Sequence, residues 1–190
     1  QETVGCFIHA ADPRSVFEVT ESEREAFWEK LYSEPGFGIW MGNFRDVLTD
    51  REANRLMSDF LARKIRERVK DAAVAEKLIP KSHGFGTRRV PLESGYFEVY
   101  NQPNVKLVDL TETPIERITP DGIRTSDTEY KFDMIIYATG FDAITGAFDR
   151  IDIRGVGGAS LKDKWADGPV TFLGILVDGF PNFMMVMGPH

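Results

Sequence analysis

The chain has 190 residues, of which 42% are hydrophobic and 28% charged, an ordinary composition for a globular protein. Its net charge of −7 argues against a general nucleic-acid partner, because phosphate binding needs clustered positive surface. No apolar run approaches the roughly 20 residues of a membrane span, and the polar start, Gln1–Thr3, lacks the basic region of a signal peptide. We therefore expect a cytoplasmic protein that does not contact membranes.

Cysteine and histidine are too sparse to predict metal or dithiol chemistry. Cys6 is the only cysteine, which excludes an intrachain disulfide, a CxxC pair and a cysteine-based zinc site. The three histidines, His9, His83 and His190, lie far apart and lack a ligand spacing. We therefore expect no metal centre in this chain.

The first third of the chain predicts helices. Thr20 and Glu23 form a capping-box pattern that opens a helix over 21–33, ending before Pro35. The glycine-rich aromatic segment 36–42 predicts a packed loop.

A second capping-box pattern, Thr49 with Glu52, opens the most strongly patterned helix. Its apolar residues recur at three- and four-residue steps, which predicts one face packed in a core: Ala53, Leu56, Met57, Phe60, Leu61, Ile65 and Val69. The basic stretch 63–70 contains Glu67 and has helical spacing, which favours a solvated helix face. A shorter helix over 72–78 ends before Pro80.

Beyond Pro80 the pattern predicts strands. Residues 105–110 indicate one strand, and 115–118 with 123–125 indicate a hairpin around a turn at 119–122. The run 134–138 is apolar on both faces, as in a covered parallel sheet. Further short strands are expected near 151–153, 171–176 and 183–186.

Two segments carry candidate chemistry. The predicted strand 134–138 ends in Ala-Thr-Gly, and ligands bind at the carboxyl ends of strands in open α/β sheets. Gly140 there would let the backbone approach a flat cofactor, although a simple strand-ending turn has the same pattern. In Gly84–Pro91 two adjacent arginines follow what we interpret as a flexible glycine pair; a solvated loop is the alternative. Adjacent side chains in extended backbone point opposite ways, so Arg88 and Arg89 could contact two different anions.

Taken together, segments 84–101, 104–109, 138–143 and the tail to Gly188-Pro189 resemble the Baeyer–Villiger monooxygenases, within them the cyclohexanone and phenylacetone monooxygenase group. The resemblance covers about residues 70–190, and the helical part is similar to that family's helical insertion. It implies an α/β fold that is part of a flavoprotein with two dinucleotide-binding, Rossmann-like domains, in which a helical insertion is followed by a β-meander and strands.

The resemblance also implies a division of the chain among those domains. Residues 1–80 would be the helical insertion of the NADP domain. Residues 81–137 would be the remainder of that domain with its β-meander. Residues 138–190 would return to the FAD domain.

The roles that the resemblance implies centre on Arg89. It matches the catalytic arginine that lies beside the flavin and stabilises negative charge on the reacting oxygen. Arg88 matches the neighbouring basic residue that contacts the 2′-phosphate of NADPH. The other implied cofactor-binding residues are Thr87, Thr139, Gly140, Phe141 and Asp142.

The implied activity uses FAD and NADPH to insert one oxygen atom of O2 next to a ketone carbonyl, giving an ester or lactone. The alternatives are a flavin monooxygenase that oxidises nitrogen or sulfur, and a non-catalytic domain. A disulfide reductase on the same two-domain plan is disfavoured because its cysteine pair is absent.

The chain departs from the family pattern in what it lacks. It contains no complete GxGxxG loop, and after Phe172 and Gly174 the family fingerprint would need histidine where Asp178 stands. The aspartate that partners the catalytic arginine is expected upstream of Gln1, and the substrate-pocket loop beyond His190. We therefore expect an internal fragment that is inactive alone.

Overall fold

The computed structural model describes residues 9–189, so Cys6 and His190 lie outside the described part. The chain divides into two compact units, the first ending at Tyr130 and the second beginning at Lys131. Within residues 9–189, no helix has both the length and the apolar character needed to cross a bilayer.

Helix α1 (Glu21–Ser33) begins at the predicted capping box. The Thr20 hydroxyl accepts a hydrogen bond from the Glu23 amide at 3.3 Å, and the Glu23 carboxylate accepts one from the Thr20 amide at 2.8 Å. These reciprocal bonds satisfy two amides that the first helical turn leaves without partners. The prediction for 21–33 is confirmed.

Helix α3 (Arg51–Arg68) is confirmed, but its cap is one residue later than predicted. Asp50, and not Thr49, is the N-cap, because its carboxylate accepts from the amides of Glu52 and Ala53, both at 2.9 Å. Helix α4 (Ala72–Leu78) has the predicted bounds, with Asp71 as its cap. The segment 36–42, predicted as a loop, contains a one-turn helix, α2 (Gly38–Met41).

The predicted apolar face of α3 is packed, but in two clusters: its first part lies in the main core, while Ile65 and Val69 pack separately with Ala75. Met57 and Phe60 pack with Trp28 of α1 and with Phe44. The Trp28 ring nitrogen donates to the Asn43 side chain at 2.9 Å, so this fully buried side chain has its polar atom satisfied. This packing joins α1, α3 and the loop between them into one body.

The predicted hairpin is confirmed as part of a three-stranded sheet in the order β1 (Ile115–Thr119), β2 (Gly122–Thr125) and β3 (Glu129–Lys131). Strands β1 and β2 are antiparallel, with Thr119 opposite Gly122 across the turn. These strands are close in sequence, so their pairing needs no distant segment.

The other predicted strands are wrong for this chain. Residues 105–110 and 134–138 form no strand, and the latter run is largely exposed, with Ile136 at 82%. A strand exists only through ladder bonds to a neighbour, and a parallel neighbour is always distant in sequence. Within the described residues neither segment has one.

The second unit contains short bridges where strands were predicted. Arg154 pairs with Ser160, and Leu176 pairs with both Phe172 and Met184, each as an isolated bridge. Helix α5 (Leu161–Lys164) contributes to a small buried cluster that also contains Trp165, Val177, Phe180 and Met185. The predictions near 151–153, 171–176 and 183–186 are therefore wrong as continuous strands.

Candidate functional site

The loop that carries the adjacent arginines is fixed to helix α3 at its start. Phe85 is buried in the main core. Its carbonyl accepts a hydrogen bond from the Asn54 side chain at 2.7 Å, and its amide donates to the Ser58 hydroxyl at 3.1 Å. Both backbone groups and the side chain of Phe85 are thus held by α3 and the core.

The two glycines beside Phe85 permit this close packing. A Cβ on Gly84 would lie 2.1 Å from the Asn54 side-chain oxygen. Gly86 has φ +72°, and a Cβ there would lie 2.5 Å from a Leu48 methyl carbon. A side chain at either position would collide with its neighbours. Our interpretation of a flexible glycine pair is wrong, since these residues are glycine because the backbone is pressed against α3 and its surroundings.

Arg88 and Arg89 follow this anchor and are both exposed. The Arg89 guanidinium lies 5.6 Å from the centre of the Phe37 ring, within cation–π range. Arg89 and Phe37 line an open pocket of about 340 Å³ together with Val90, Pro91 and Leu92. Sequence reasoning missed Phe37, because no local pattern links it to a residue so far along the chain.

Thr87, predicted to bind cofactor, uses its hydroxyl inside the loop. It donates to the Gly84 carbonyl at 2.9 Å, and the Thr87 amide points to the same oxygen at 3.4 Å. Thr87 therefore closes the turn that presents Arg88. Its hydroxyl oxygen can still accept a hydrogen bond from a ligand.

Arg88 and Arg89 differ from most other arginines of the chain in that they form no ion pair within the described residues. Within residues 9–189, neither Arg88 nor Arg89 has a carboxylate within ion-pairing distance. By contrast, most cations of the basic stretch 63–70, predicted to be a solvated face, form ion pairs. Arg63 binds Glu25 at 2.6 Å, and Arg66 binds Glu76 at 2.6 Å. Two neighbouring guanidinium groups without acidic partners can bind an anion without first breaking an ion pair.

The other predicted cofactor residues lie in the second unit. Gly140 has φ +86°, with open space where a Cβ would point. Thr139 is exposed, and the Phe141 ring is fully exposed. Asp142 forms an ion pair with Arg150. The structure thus gives residues 139–142 an open, unpacked surface, while Thr87, Arg88 and Arg89 are placed on the first unit.

Comparison with known proteins finds relatives along the whole chain. The chain is 56% identical over 190 residues to 2-oxo-Delta(3)-4,5,5-trimethylcyclopentenylacetyl-CoA monooxygenase of Pseudomonas putida, covering 100% of this chain and 35% of that protein. It is 41% identical over 187 residues to a Baeyer–Villiger monooxygenase of Pseudooceanicola batsensis, covering 97% of this chain and 33% of that protein. No family model matches.

The chain is homologous to Baeyer–Villiger monooxygenases. The structure agrees, because it superposes on the crystal structure of OTEMO in complex with FAD and NADP with a TM-score of 0.91 and 57% identity. That match covers 96% of this chain and 34% of the other. The chain thus spans about a third of the length of the Baeyer–Villiger relatives it matches.

The name of one further relative indicates that it oxidises nitrogen instead of a ketone. Phenazine N-monooxygenase PhzNO1 of Lysobacter antibioticus is 40% identical over 178 residues, covering 93% of this chain and 32% of that protein. Similarity over this region therefore extends across Baeyer–Villiger and nitrogen-oxidising monooxygenases.

Proposed function

We propose that the protein to which this chain belongs is a Baeyer–Villiger monooxygenase that uses FAD, NADPH and O2 to convert a ketone into an ester or lactone. The single observation that carries the proposal is the pair of exposed arginines that have no carboxylate partner among residues 9–189, held on a loop anchored to α3. The homology to monooxygenases over the full chain supports it. The bound FAD and NADP of the similar OTEMO structure support the choice of cofactors.

Within that protein we assign residues 1–80 to a helical insertion and 81–137 to the rest of the NADP domain. Residues 138–190 are assigned to the return into the FAD domain, in a two-domain Rossmann-like architecture. The capped helices and the meander support the first two assignments. The exposed apolar run 134–138 supports a sheet strand at the junction of the second and third assignments, because it has the composition of a strand awaiting neighbours.

The FAD, reduced by NADPH, supplies the activation of oxygen when both are bound. Arg89 supplies a permanent positive charge beside it. A guanidinium stays protonated across the physiological pH range, so Arg89 stabilises negative charge on the reacting oxygen and on the attacked carbonyl oxygen. A fixed donor of this kind is worth roughly 3–4 kcal/mol in other oxyanion sites. The Phe37 ring restricts where the Arg89 guanidinium can lie.

Arg88 binds the 2′-phosphate of NADPH in this proposal. Its guanidinium can make two parallel hydrogen bonds to phosphate oxygens. In the part of the chain that the structure describes, no carboxylate forms an ion pair with it that would have to break first. Thr87 fixes the turn before it through its bond to Gly84. The preference for NADPH over NADH therefore resides in Arg88.

Residues 139–142 bind close to both cofactors. The open side of Gly140 allows a flat ring system to approach the backbone. The Thr139 hydroxyl and the Asp142 carboxylate offer hydrogen-bonding groups on the same short segment, and Phe141 offers an aromatic face.

A second candidate function is oxidation of nitrogen. The relative that favours it is the phenazine N-monooxygenase. We prefer ketone oxidation because cyclopentanone 1,2-monooxygenase of Comamonas is 46% identical to this chain, against 40% for the phenazine enzyme. A direct comparison of cyclic ketones with aromatic amines as substrates of the full-length enzyme distinguishes the two.

The test of the catalytic assignment is Arg89→Ala in the full-length enzyme. We expect product formation from a cyclic ketone to fall about a hundredfold or more, while bound FAD, measured by absorbance, is unchanged. The matched control is Arg117→Ala, since Arg117 is also exposed and lacks a carboxylate partner within the described residues. Unchanged product formation in Arg89→Ala would refute the assignment.

A further inference from the structure

The segment that carries Arg88 and Arg89 is tied to helix α3 at both ends. At its start, Asn54 and Ser58 bind the backbone of Phe85. At its far end, the Arg68 guanidinium binds the Glu98 carboxylate through two hydrogen bonds, of 2.5 and 2.7 Å. The arginine loop therefore spans two attachment points on one rigid helix.

Arg68 is the centre of the second attachment. Besides Glu98, it donates to the Glu93 carboxylate at 2.7 Å and to the Tyr32 hydroxyl at 2.8 Å. Its guanidinium carbon lies 4.9 Å from the centre of the Phe97 ring. One side chain thus holds three residues of the segment and connects them to helix α1.

The backbone at the end of α3 adds a further bond. The Asn101 side chain accepts from the Lys70 amide and donates to the Arg68 carbonyl, each at 2.8 Å. The second of these bonds satisfies a carbonyl that the C-terminus of α3 leaves without an intrahelical partner. The segment therefore ends in a fixed position on α3.

The charges at Arg68 favour a persistent contact. Its side chain is 21% exposed, so water screens its ion pairs only partly. Its hydrogen bonds to Glu98 lower the pKa of that carboxyl to about 2, and its hydrogen bond to Glu93 holds the pKa of Glu93 below its usual value. Both carboxylates stay ionised at neutral pH, and lysine could not replace the planar, stacked guanidinium that binds them.

The distance between the attachments limits the motion of the loop. Asn54 and Arg68 are separated by roughly 21 Å along the helix axis, at about 1.5 Å per residue. The chain from Phe85 to Glu93 reaches at most about 29 Å when fully extended. The arginines lie on this short stretch between the two attachments, so loosening either attachment gives Arg88 and Arg89 more freedom.

We propose that Arg68 is a positioning residue for the Arg88–Arg89 loop: it fixes the far end of that loop through Glu93 and Glu98, so that α3 sets where the two cations are presented. It touches neither arginine. The contacts described above are sufficient to infer that the loop is restrained. The effect of this restraint on cofactor preference rests on the proposed function.

The restraint is tested by limited proteolysis of the full-length protein with trypsin, which cleaves after arginine where the backbone can open. In Arg68→Lys and in Glu98→Gln we expect cleavage at the Arg88–Arg89 positions to accelerate on the order of tenfold, as the open population rises when a charge-assisted hydrogen bond is lost. The matched control is Arg66→Lys, which alters an ion pair of α3 with Glu76 in α4 and leaves the loop untouched.

Acceleration in both variants but not in the control supports the inference. Unchanged cleavage in Glu98→Gln, or equal acceleration in Arg66→Lys, overturns it. Glu98→Gln changes only an exposed carboxylate and is expected to fold normally. The test therefore remains decisive even if Arg68→Lys folds poorly.

Cofactor preference separates positioning from general destabilisation. In Arg68→Lys we expect the ratio of kcat/KM for NADPH to that for NADH to fall at least threefold, since a mislocated Arg88 affects only the phosphorylated cofactor. General destabilisation would lower both values equally and would overturn the inference. Faster cleavage of Arg68→Lys with an unchanged cofactor ratio, together with an unchanged ratio in Arg88→Ala, would leave the loop restraint standing and refute the proposed role of Arg88.

Discussion

The two units of the chain differ in how completely their sequences specify their structure. In the first unit, α1, α3 and α4 each begin with a side-chain cap, and Trp28 is 1% exposed inside an aromatic core. In the second unit, large apolar side chains such as Phe141, Val186 and Met187 remain exposed. The first unit closes its own core, whereas the second presents surfaces suited to burial against other segments.

The contrast shows which interactions are local. A helix cap and an apolar stripe are made by residues within a few positions of each other. A parallel strand needs a neighbour at least a crossover away, and the relatives are about three times as long as this chain. The missing strands of the second unit are therefore the expected result for a chain that spans a third of its relatives.

The largest expected effect is in backbone hydrogen exchange. In the 190-residue chain, the amides of residues 134–142 donate no hydrogen bond to any backbone carbonyl that the structure describes, so they should exchange at unprotected rates. Amides inside α3 should exchange on the order of a thousandfold more slowly. This holds if they exchange only when the first unit unfolds, with an unfolding free energy of about 5 kcal/mol. Mass spectrometry of exchanged peptides measures both.

In the full-length protein the same experiment should show a smaller difference in exchange between α3 and residues 134–138. There we expect residues 134–138 to become protected, because the predicted strand gains neighbours. Lack of protection in that protein would contradict the assignment of 134–138 to a sheet.

A second effect concerns matched aromatic residues in the two units. Trp28→Ala should lower the free energy of unfolding of the 190-residue chain by about 3–5 kcal/mol, because it removes a fully buried ring. Phe141→Ala should change it by less than about 0.5 kcal/mol, since that ring is exposed. Urea denaturation followed by tryptophan fluorescence and circular dichroism measures both; equal losses would show that the second unit also has a closed core around Phe141.

The smallest effect tests the position of the α3 cap. Asp50→Ala should cost about 1 kcal/mol in unfolding free energy, because two amides of the first turn lose their acceptor. Thr49→Ala should cost less than about 0.5 kcal/mol, since its hydroxyl makes only a 3.5 Å contact with Asp46. Urea denaturation of the two variants gives the comparison, and a larger loss in Thr49→Ala would restore the original prediction.

The sequence was sufficient where structure depends on near neighbours. It predicted the bounds of α1 and α4 and the hairpin of β1 and β2. It misassigned the α3 cap because Thr49 and Asp50 are both good capping residues, and only the geometry selects the one whose oxygen reaches two amides.

The candidate site was predictable in part for the same reason. Arg88 and Arg89 are adjacent and could be recognised together. Their surroundings could not be, because Arg68 meets Glu98 across 30 residues of chain and Phe37 meets Arg89 across a longer interval. The glycines at 84 and 86 suggested flexibility, although the structure uses them for close packing.

The most direct test of the account compares Arg88→Ala with Arg89→Ala in the full-length enzyme, measuring ester formed and cofactor consumed with NADPH and with NADH. We expect Arg88→Ala to lose the preference for NADPH while it still forms ester. We expect Arg89→Ala to keep that preference while ester formation falls about a hundredfold. Identical behaviour of the two variants would contradict the claim that these neighbouring cations serve two different anions.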